Sequence, residues 1–257
     1  MTATAEKKIS TDKDVAVTTP AIHIILQSKG GVGKSYIASF LAQYLAKKRP
    51  VRAYDTDPGN NTLARIKAID ATSVEHLVDP SGIINQAAFD PLIQELATDT
   101  DSVAVVDTGA ATFLPLWSYV LENHILELLE RHGRPVLVHC PVVGGQAMVD
   151  TLNGLLSISR TLNTRSLVVW LNEYFGEVAE GGRGFEDFAI IQEILPKVLG
   201  WVRLPERTKA TFGADVQKMQ LQNLTFAEAI ESFPLVSKQR LQIIRREAFD
   251  QLDKLGL

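Results

Sequence analysis

An α/β fold, with a mostly parallel twisted sheet carrying helices on both faces, is predicted by three observations. The first is Ile22–Ser35, IHIILQSKGGVGKS, where an apolar strand runs into a glycine-rich turn and then into a helical pattern. The second is a set of short apolar runs with no polar alternation, as expected of strands buried on both sides. They are Val51–Asp55, Ser102–Asp107, Pro135–Val143 and Ser166–Leu171. The third is the amphipathic period of the segments between them, which sets one helical face against a sheet.

In the glycine-rich turn each residue type has a physical role. Gly30, Gly31 and Gly33 permit backbone conformations that a β-carbon would block, and let backbone N–H groups turn toward phosphate oxygens. The turn ends at a helix N-terminus, where free N–H groups and the helix dipole favour an anion. Lys34 is placed to reach the β- and γ-phosphates of a nucleotide, and the Ser35 hydroxyl to ligate Mg²⁺.

In chain order, Tyr36–Lys48 has apolar residues at 37, 40, 41, 44 and 45, and Lys47, Lys48, Arg49 and Pro50 close this helix. Asp55 and Asp57 end the next strand on the rim that carries the phosphate loop, where open α/β sheets bind ligands. Asp57-Pro58-Gly59-Asn60 is also strong turn chemistry. Ser73–Val78 reads as a peripheral strand, and Gln86–Ala97 as a helix whose true start Pro91 marks. Asp107, at the end of an apolar run, is a metal-holding carboxylate or a helix cap, and its position after the other two motifs favours the metal. Phe113–Arg131 reads as helical, and Gly144-Gly145-Gln146 opens a helix that runs through about Leu162. His139 and Cys140 lack the second half of any metal or nucleophile constellation, so His139 reads as a packed side chain. Glu177–Gly184 reads as a mobile glycine-rich loop, and Arg183 and Lys209 as surface charges. The last helix, Ser237–Leu255, carries Leu241, Ile244, Ala248, Leu252 and Leu255 on one face, with Lys238, Arg240, Arg245 and Arg246 toward its first half.

Of the 257 residues, 46% are hydrophobic and 22% charged, enough for one sizeable core. Residues 1–20 read as a disordered tail without the apolar core of a secretory signal, and 21–257 as a single domain. The net charge of −4 excludes a general polycation, so any nucleic-acid contact needs a local basic patch. One cysteine excludes an internal disulfide and fits a reducing cytoplasm. No apolar run approaches the roughly 20 residues that span a bilayer.

Lys29-Gly30-Gly31-Val32-Gly33-Lys34-Ser35 resembles the deviant Walker A motif of ParA/MinD ATPases, with its additional signature lysine. Asp55-Thr56-Asp57-Pro58 resembles the Walker A′ segment, although Gly59 stands where the family usually has Gln, and Val103–Asp107 resembles Walker B. The resemblance implies an ATP- and Mg²⁺-dependent homodimer in which Lys29 reaches the nucleotide of the opposite subunit. It gives nucleotide contacts to Gly30, Gly31, Val32, Gly33, Lys34, Ser35 and Tyr36, and base contacts to Asn172 and Pro205, an asparagine that an ordinary post-strand turn would also accommodate. It implies that Asp57 aligns the attacking water, and that Ser35, Asp55 and Asp107 serve Mg²⁺.

Four further segments are similar to the TraL-type ATPases of conjugative plasmid transfer, with StbB-type plasmid stability proteins as near neighbours. They are Asp107–Pro115, Val143–Asp150, Val168–Gly176 and Gln239–Arg246. The resemblance implies an ATP-hydrolysing dimerisation switch with a protein partner in the conjugation or plasmid-maintenance machinery. ParA-like binding to non-specific DNA and a MinD-like membrane helix are the alternatives; Glu247, Asp250 and Asp253 dilute the basic face that the latter needs.

Overall fold

The computed structural model describes residues 20–257, so the reading of the N-terminal tail lies, but for Pro20, outside the described residues. Seven strands form one sheet: β1 (Ile22–Ile25), β2 (Val51–Asp55), β3 (Thr72–Ser73), β4 (Val103–Asp107), β5 (Val136–Val143), β6 (Leu167–Asn172) and β9 (Val198–Leu204). Their spatial order is β3-β2-β4-β1-β5-β6-β9. Every pairing is parallel. The chain leaves β1 toward one edge, returns to pair β4 beside it, and only then builds the other edge from β5. The direction of winding thus reverses around β1, which opens a crevice at the strands' carboxyl ends.

Helices cover both faces, as the buried strand composition requires. On one side α1 (Lys34–Leu45), α7 (Ala214–Leu221), α8 (Phe226–Ser232) and α9 (Leu235–Lys254) pack against Ile25, Ala53, Val105, Val168 and Trp170. On the other, α2 (Asp90–Thr98), α3 (Ala110–Glu122), α4 (Ile125–Arg131), α5 (Met148–Thr161) and α6 (Ala189–Ile194) pack against Ile24, Val106, Cys140 and Val169. The alternation of Ile24 and Ile25 between the two cores is the strand period of two.

Several expectations need correction. The peripheral strand is Thr72–Ser73 and does not run on to Val78: pairing stops at Ser73, and Val78 makes only an isolated bridge to Ile84. Phe113–Arg131 is helical as expected, but divided between α3 and α4. His124 adopts φ +50° between them, which ends one helical run and starts the next, and Leu121 is left on the surface. Glu177–Gly184 holds a small antiparallel hairpin, β7 (Ala179–Glu180) with β8 (Arg183–Gly184), turned by Gly181 and Gly182 at positive φ. The 3₁₀ turn Gln86–Phe89 precedes α2, so Pro91 does mark the α-helical start.

His139 is packed, as expected, within a buried polar chain. Its Nε2 lies 2.9 Å from His23 Nδ1, and its Nδ1 accepts from Trp170 Nε1 at 2.9 Å. Because Nδ1 is the acceptor, the His139 proton sits on Nε2 and is donated to His23. Burial lowers the His23 pKa to about 4 and holds His139 well below the usual imidazole range, so both rings are neutral.

Candidate functional site

The phosphate loop bridges the end of β1 and the first turn of α1. Gly31 and Gly33 have φ of +74° and +95°, so these glycines are required by the turn itself. A β-carbon on Gly33 would also lie 2.8 Å from Asn172 Nδ2. Gly30, by contrast, has room for one, 3.8 Å from the Ala110 β-carbon. Gln27, buried just before the loop, donates to the carbonyls of Pro141 at 2.9 Å and Thr151 at 3.0 Å, and accepts from Ser28 N. It ties the base of the loop to β5 and α5. Its only sequence signal is an amide side chain at the end of an apolar run.

Lys34 is buried, and its Nζ donates to the Lys29 carbonyl at 2.9 Å. Burial lowers its pKa, and the nearby Asp107 and Asp57 partly restore it. Register pairs Asp55 with Asp107 at the carboxyl ends of β2 and β4, and Asp107 also stands opposite Ile25 of β1. The three strands therefore deliver the two carboxylates to the mouth of the phosphate loop.

These carboxylates differ in their environments. Asp55 is fully occupied: Oδ1 accepts from Asp57 N at 3.0 Å, and Oδ2 from Leu63 N at 2.9 Å and Ala64 N at 3.1 Å. It anchors the following loop. Asp57 caps its own turn, with Oδ1 accepting from Gly59 N at 3.0 Å and Oδ2 from Asn60 Nδ2 at 3.1 Å. Gly109 comes so close that a β-carbon there would sit 2.7 Å from Asp57 Cγ. Asp107 is different again, for it is fully buried and neither carboxylate oxygen has a hydrogen-bond partner. Burial, chiefly, raises its pKa to about 7; Ser35 beside it lowers the value without reaching hydrogen-bond geometry, and Asp55 and Asp57 raise it further.

A buried, unpartnered carboxylate beside a lysine and a serine hydroxyl is costly unless a cation meets it. The fit to Mg²⁺ is good in chemical type, because Mg²⁺ takes oxygen ligands and is usually held by one or two carboxylates together with substrate phosphates and water. Among the described residues no group of three or more His, Cys, Asp or Glu could hold a metal by itself.

Lys29 lies on the exposed side of the loop and pairs with Asp150 of α5 at 2.8 Å. Sequence gave no hint of this partner, 121 positions away. Next to the loop, an apolar cleft is lined by Tyr36, Asn172, Tyr174, Pro205, Phe212 and Ile244, among others. It brings Asn172 and Pro205 together, though they come from different strand ends. Asn172 Nδ2 donates to the Val32 carbonyl at 3.1 Å, so the β6 end is joined directly to the phosphate loop. The aromatic lining of Tyr174 and Phe212 was not foreseen, since both lie in single helical turns too short to show a periodicity.

A glycine-shaped anion cradle at a helix start, a lysine, an unpartnered carboxylate and an adjoining apolar cleft define a nucleotide-binding protein of the phosphate-loop class. The chain belongs to the CobQ/CobB/MinD/ParA nucleotide binding domain family, whose model matches residues 23–223. It is 37% identical over 236 residues to a protein TraL of Escherichia coli, covering 90% of this chain and 97% of that one. A second Escherichia coli protein TraL is 36% identical over 241 residues, covering 92% and 98%. Among solved structures it shares its fold with the septum site-determining protein MinD of Pyrococcus horikoshii OT3, complexed with Mg-ADP. There the TM-score is 0.53 and the identity 16%, over 93% of this chain and 99% of that one.

Proposed function

We propose that this chain, acting as one domain over residues 21–257, is a Mg²⁺-dependent ATPase and dimerisation switch that serves conjugative plasmid DNA transfer or plasmid maintenance in the bacterial cytoplasm. The observation that carries the reading is Asp107: a fully buried carboxylate without a partner, beside Lys34 and Ser35 at the mouth of a phosphate loop.

In this reading Gly30, Gly31, Val32, Gly33, Lys34, Ser35 and Tyr36 hold the phosphates through backbone N–H groups and the Lys34 ammonium. Ser35 and Asp107 hold Mg²⁺, and Asp55 supports the metal site through the loop it anchors. Bound there, Mg²⁺ would supply positive charge to the phosphoryl oxygens. Asp57 orients the attacking water, from a loop held by Asp55 and pressed by Gly109. Asn172 and Pro205 border the cleft that takes the base.

The dimer is supported by the surface around the loop. Leu114, Val149, Tyr174 and Phe175 are 66%, 58%, 49% and 48% exposed on elements that border it, an apolar set suited to a second copy. The Lys29–Asp150 pair is solvent-exposed and worth only about 0–1 kcal/mol, so Lys29 is readily released to a partner subunit. A membrane-anchoring last helix is disfavoured because the apolar face of α9 is already used: Leu241, Ala248 and Leu252 are buried against the sheet. Among the described residues no helix is long and apolar enough to cross a membrane.

The test is steady-state phosphate release from Mg-ATP, with Lys34→Ala as the blank, and the solution mass of Asp57→Ala with Mg-ATP. Turnover above the blank and a stable dimer of Asp57→Ala are expected. Turnover equal to the blank would remove the ATPase assignment, and a monomeric Asp57→Ala would remove the switch.

A further inference from the structure

Gln27 stands where β1 gives way to the phosphate loop. It is fully buried, and its amide uses all of its hydrogen-bonding capacity. Nε2 donates to the Pro141 carbonyl of β5 at 2.9 Å and to the Thr151 carbonyl of α5 at 3.0 Å. Oε1 accepts from the Ser28 backbone N–H at 3.0 Å and from the Ser28 hydroxyl at 3.3 Å. Such an amide cannot turn without leaving a buried polar group unpaired, so the link is stiff.

The fold makes room for this link at a cost. Gly154 lies in the interior of α5, where glycine disfavours the helix relative to alanine. A β-carbon at Gly154 would overlap Gln27 Oε1 and come within 3.0 Å of Cδ. A poor helix former and a buried amide therefore stand together at a place that one apolar side chain would fill. Packing alone does not ask for that combination, and local rules are broken in this way chiefly where a site needs it.

The link leads outward. Thr151 is buried in the first turns of α5, next to Asp150 and close to the exposed Val149. Asp150 also pairs with Lys29, but that pair is solvent-exposed and weak. The tip of the loop has a separate connection: Asn172 donates to the Val32 carbonyl at 3.1 Å and leads to the turn of Tyr174 and Phe175. The loop is thus tied at its base to the start of α5, and at its tip to the turn after β6.

We infer that Gln27 is a positioning residue that carries the state of the phosphate loop to the start of α5, so that filling the loop orders the surface around Val149 and Asp150. The inference rests on the nucleotide reading above and deepens it. A bound nucleotide fixes the loop N–H groups on phosphate oxygens. Ser28 leads directly into those groups, and Gln27 holds both Ser28 and Thr151. Motion lost from the loop is therefore lost from the first turns of α5 as well. A surface ordered by one ligand has less freedom to lose in its next contact, with no change of shape required.

The test is amide hydrogen exchange of the full chain with and without saturating Mg-ADP. ADP fills the loop but has no γ-phosphate, so the dimerisation assigned to ATP does not contribute. In the unmodified chain, exchange should slow by about 5-fold or more in residues 29–35 and 148–154. Gln27→Met removes the link with a side chain of similar length. Gly154→Ala expels the amide from the opposite side with Gln27 still present. In both variants residues 29–35 should still slow, while 148–154 should slow by less than about 2-fold. Ser159→Ala removes a buried hydroxyl from the same helix away from Gln27. It should speed exchange along α5 with and without ADP, and keep the ratio between the two. Thermal melting shows that each protein is folded. A ratio at 148–154 kept by Gln27→Met or by Gly154→Ala would overturn the inference, because the amide would then be structural only. Slowing at 29–35 without slowing at 148–154 in the unmodified chain would also overturn it, and leave the nucleotide reading standing. No slowing at 29–35 would remove both.

Discussion

His23 sits in β1, directly before the phosphate loop, and its burial makes acid a selective perturbation of the strand that carries the site. Its folded pKa is about 4, against an ordinary value of 6.5. The folded value is depressed, so the stability contributed by keeping the ring neutral is present above pH 6.5. It is lost progressively as pH falls toward 4, because the unfolded chain binds the proton first. The shift corresponds to about 3 kcal/mol, and in a chain of this size to about 10 °C in melting temperature. His23→Asn is the informative variant. The asparagine Oδ1 stands near the place of the ring Nδ1 and accepts from His139 Nε2–H, but does not titrate. Its absolute stability will be lower, since a ring is lost from the core. The pH dependence is what matters: between pH 6.5 and 4 the variant should lose about 10 °C less than the unmodified chain. Melting followed by circular dichroism across that range measures both. Parallel curves would refute the reasoning and put the acid sensitivity elsewhere.

Three further outcomes follow from the site. Gly33→Ala combines a left-handed backbone with a contact 2.8 Å from Asn172 Nδ2, and should cost about 2 kcal/mol and most nucleotide binding, as read by melting with and without Mg-ATP. Gly109→Ala should push the Asp57 side chain off the turn it caps, at a cost of about 1 kcal/mol in melting, and lower turnover by about 10- to 100-fold, as a small misplacement of a positioning group does. Asp55→Asn replaces an acceptor of three backbone N–H groups by one that presents an NH₂ to some of them. The cost should be about 1–3 kcal/mol, and the 57–64 loop should become the first point of proteolytic cleavage.

The phosphate loop and the carboxylate at the end of β4 were legible in the sequence because their chemistry is local. Only glycine takes the backbone of positions 31 and 33, and a parallel buried strand must be apolar until it reaches the rim where Asp107 stands. The helical faces of α1 and α9 were legible for the same reason, since a period of 3.6 is written into neighbouring positions. Boundaries failed where one residue in an unusual conformation decided them, as at His124, or where a strand had too few partners to continue, as after Ser73.

Relations between distant segments belong to the tertiary structure alone. The partnering of Lys29 with Asp150, the grip of Gln27 on β5 and α5, and the joining of Asn172 to Val32 each cross more than a hundred positions. No local pattern encodes them, because each partner taken singly satisfies its own segment. The same holds for charge. The sequence determined that the chain as a whole is acidic and that basic residues gather early in α9. Packing decided that Arg240 is paired with Asp215 and Lys238 is turned to the Glu231 carbonyl, and that Arg245 and Arg246 meet the end of α1 to form one positive surface. Electrostatic fields sum over distance in space, and that distance is fixed only when the sheet has closed its two faces.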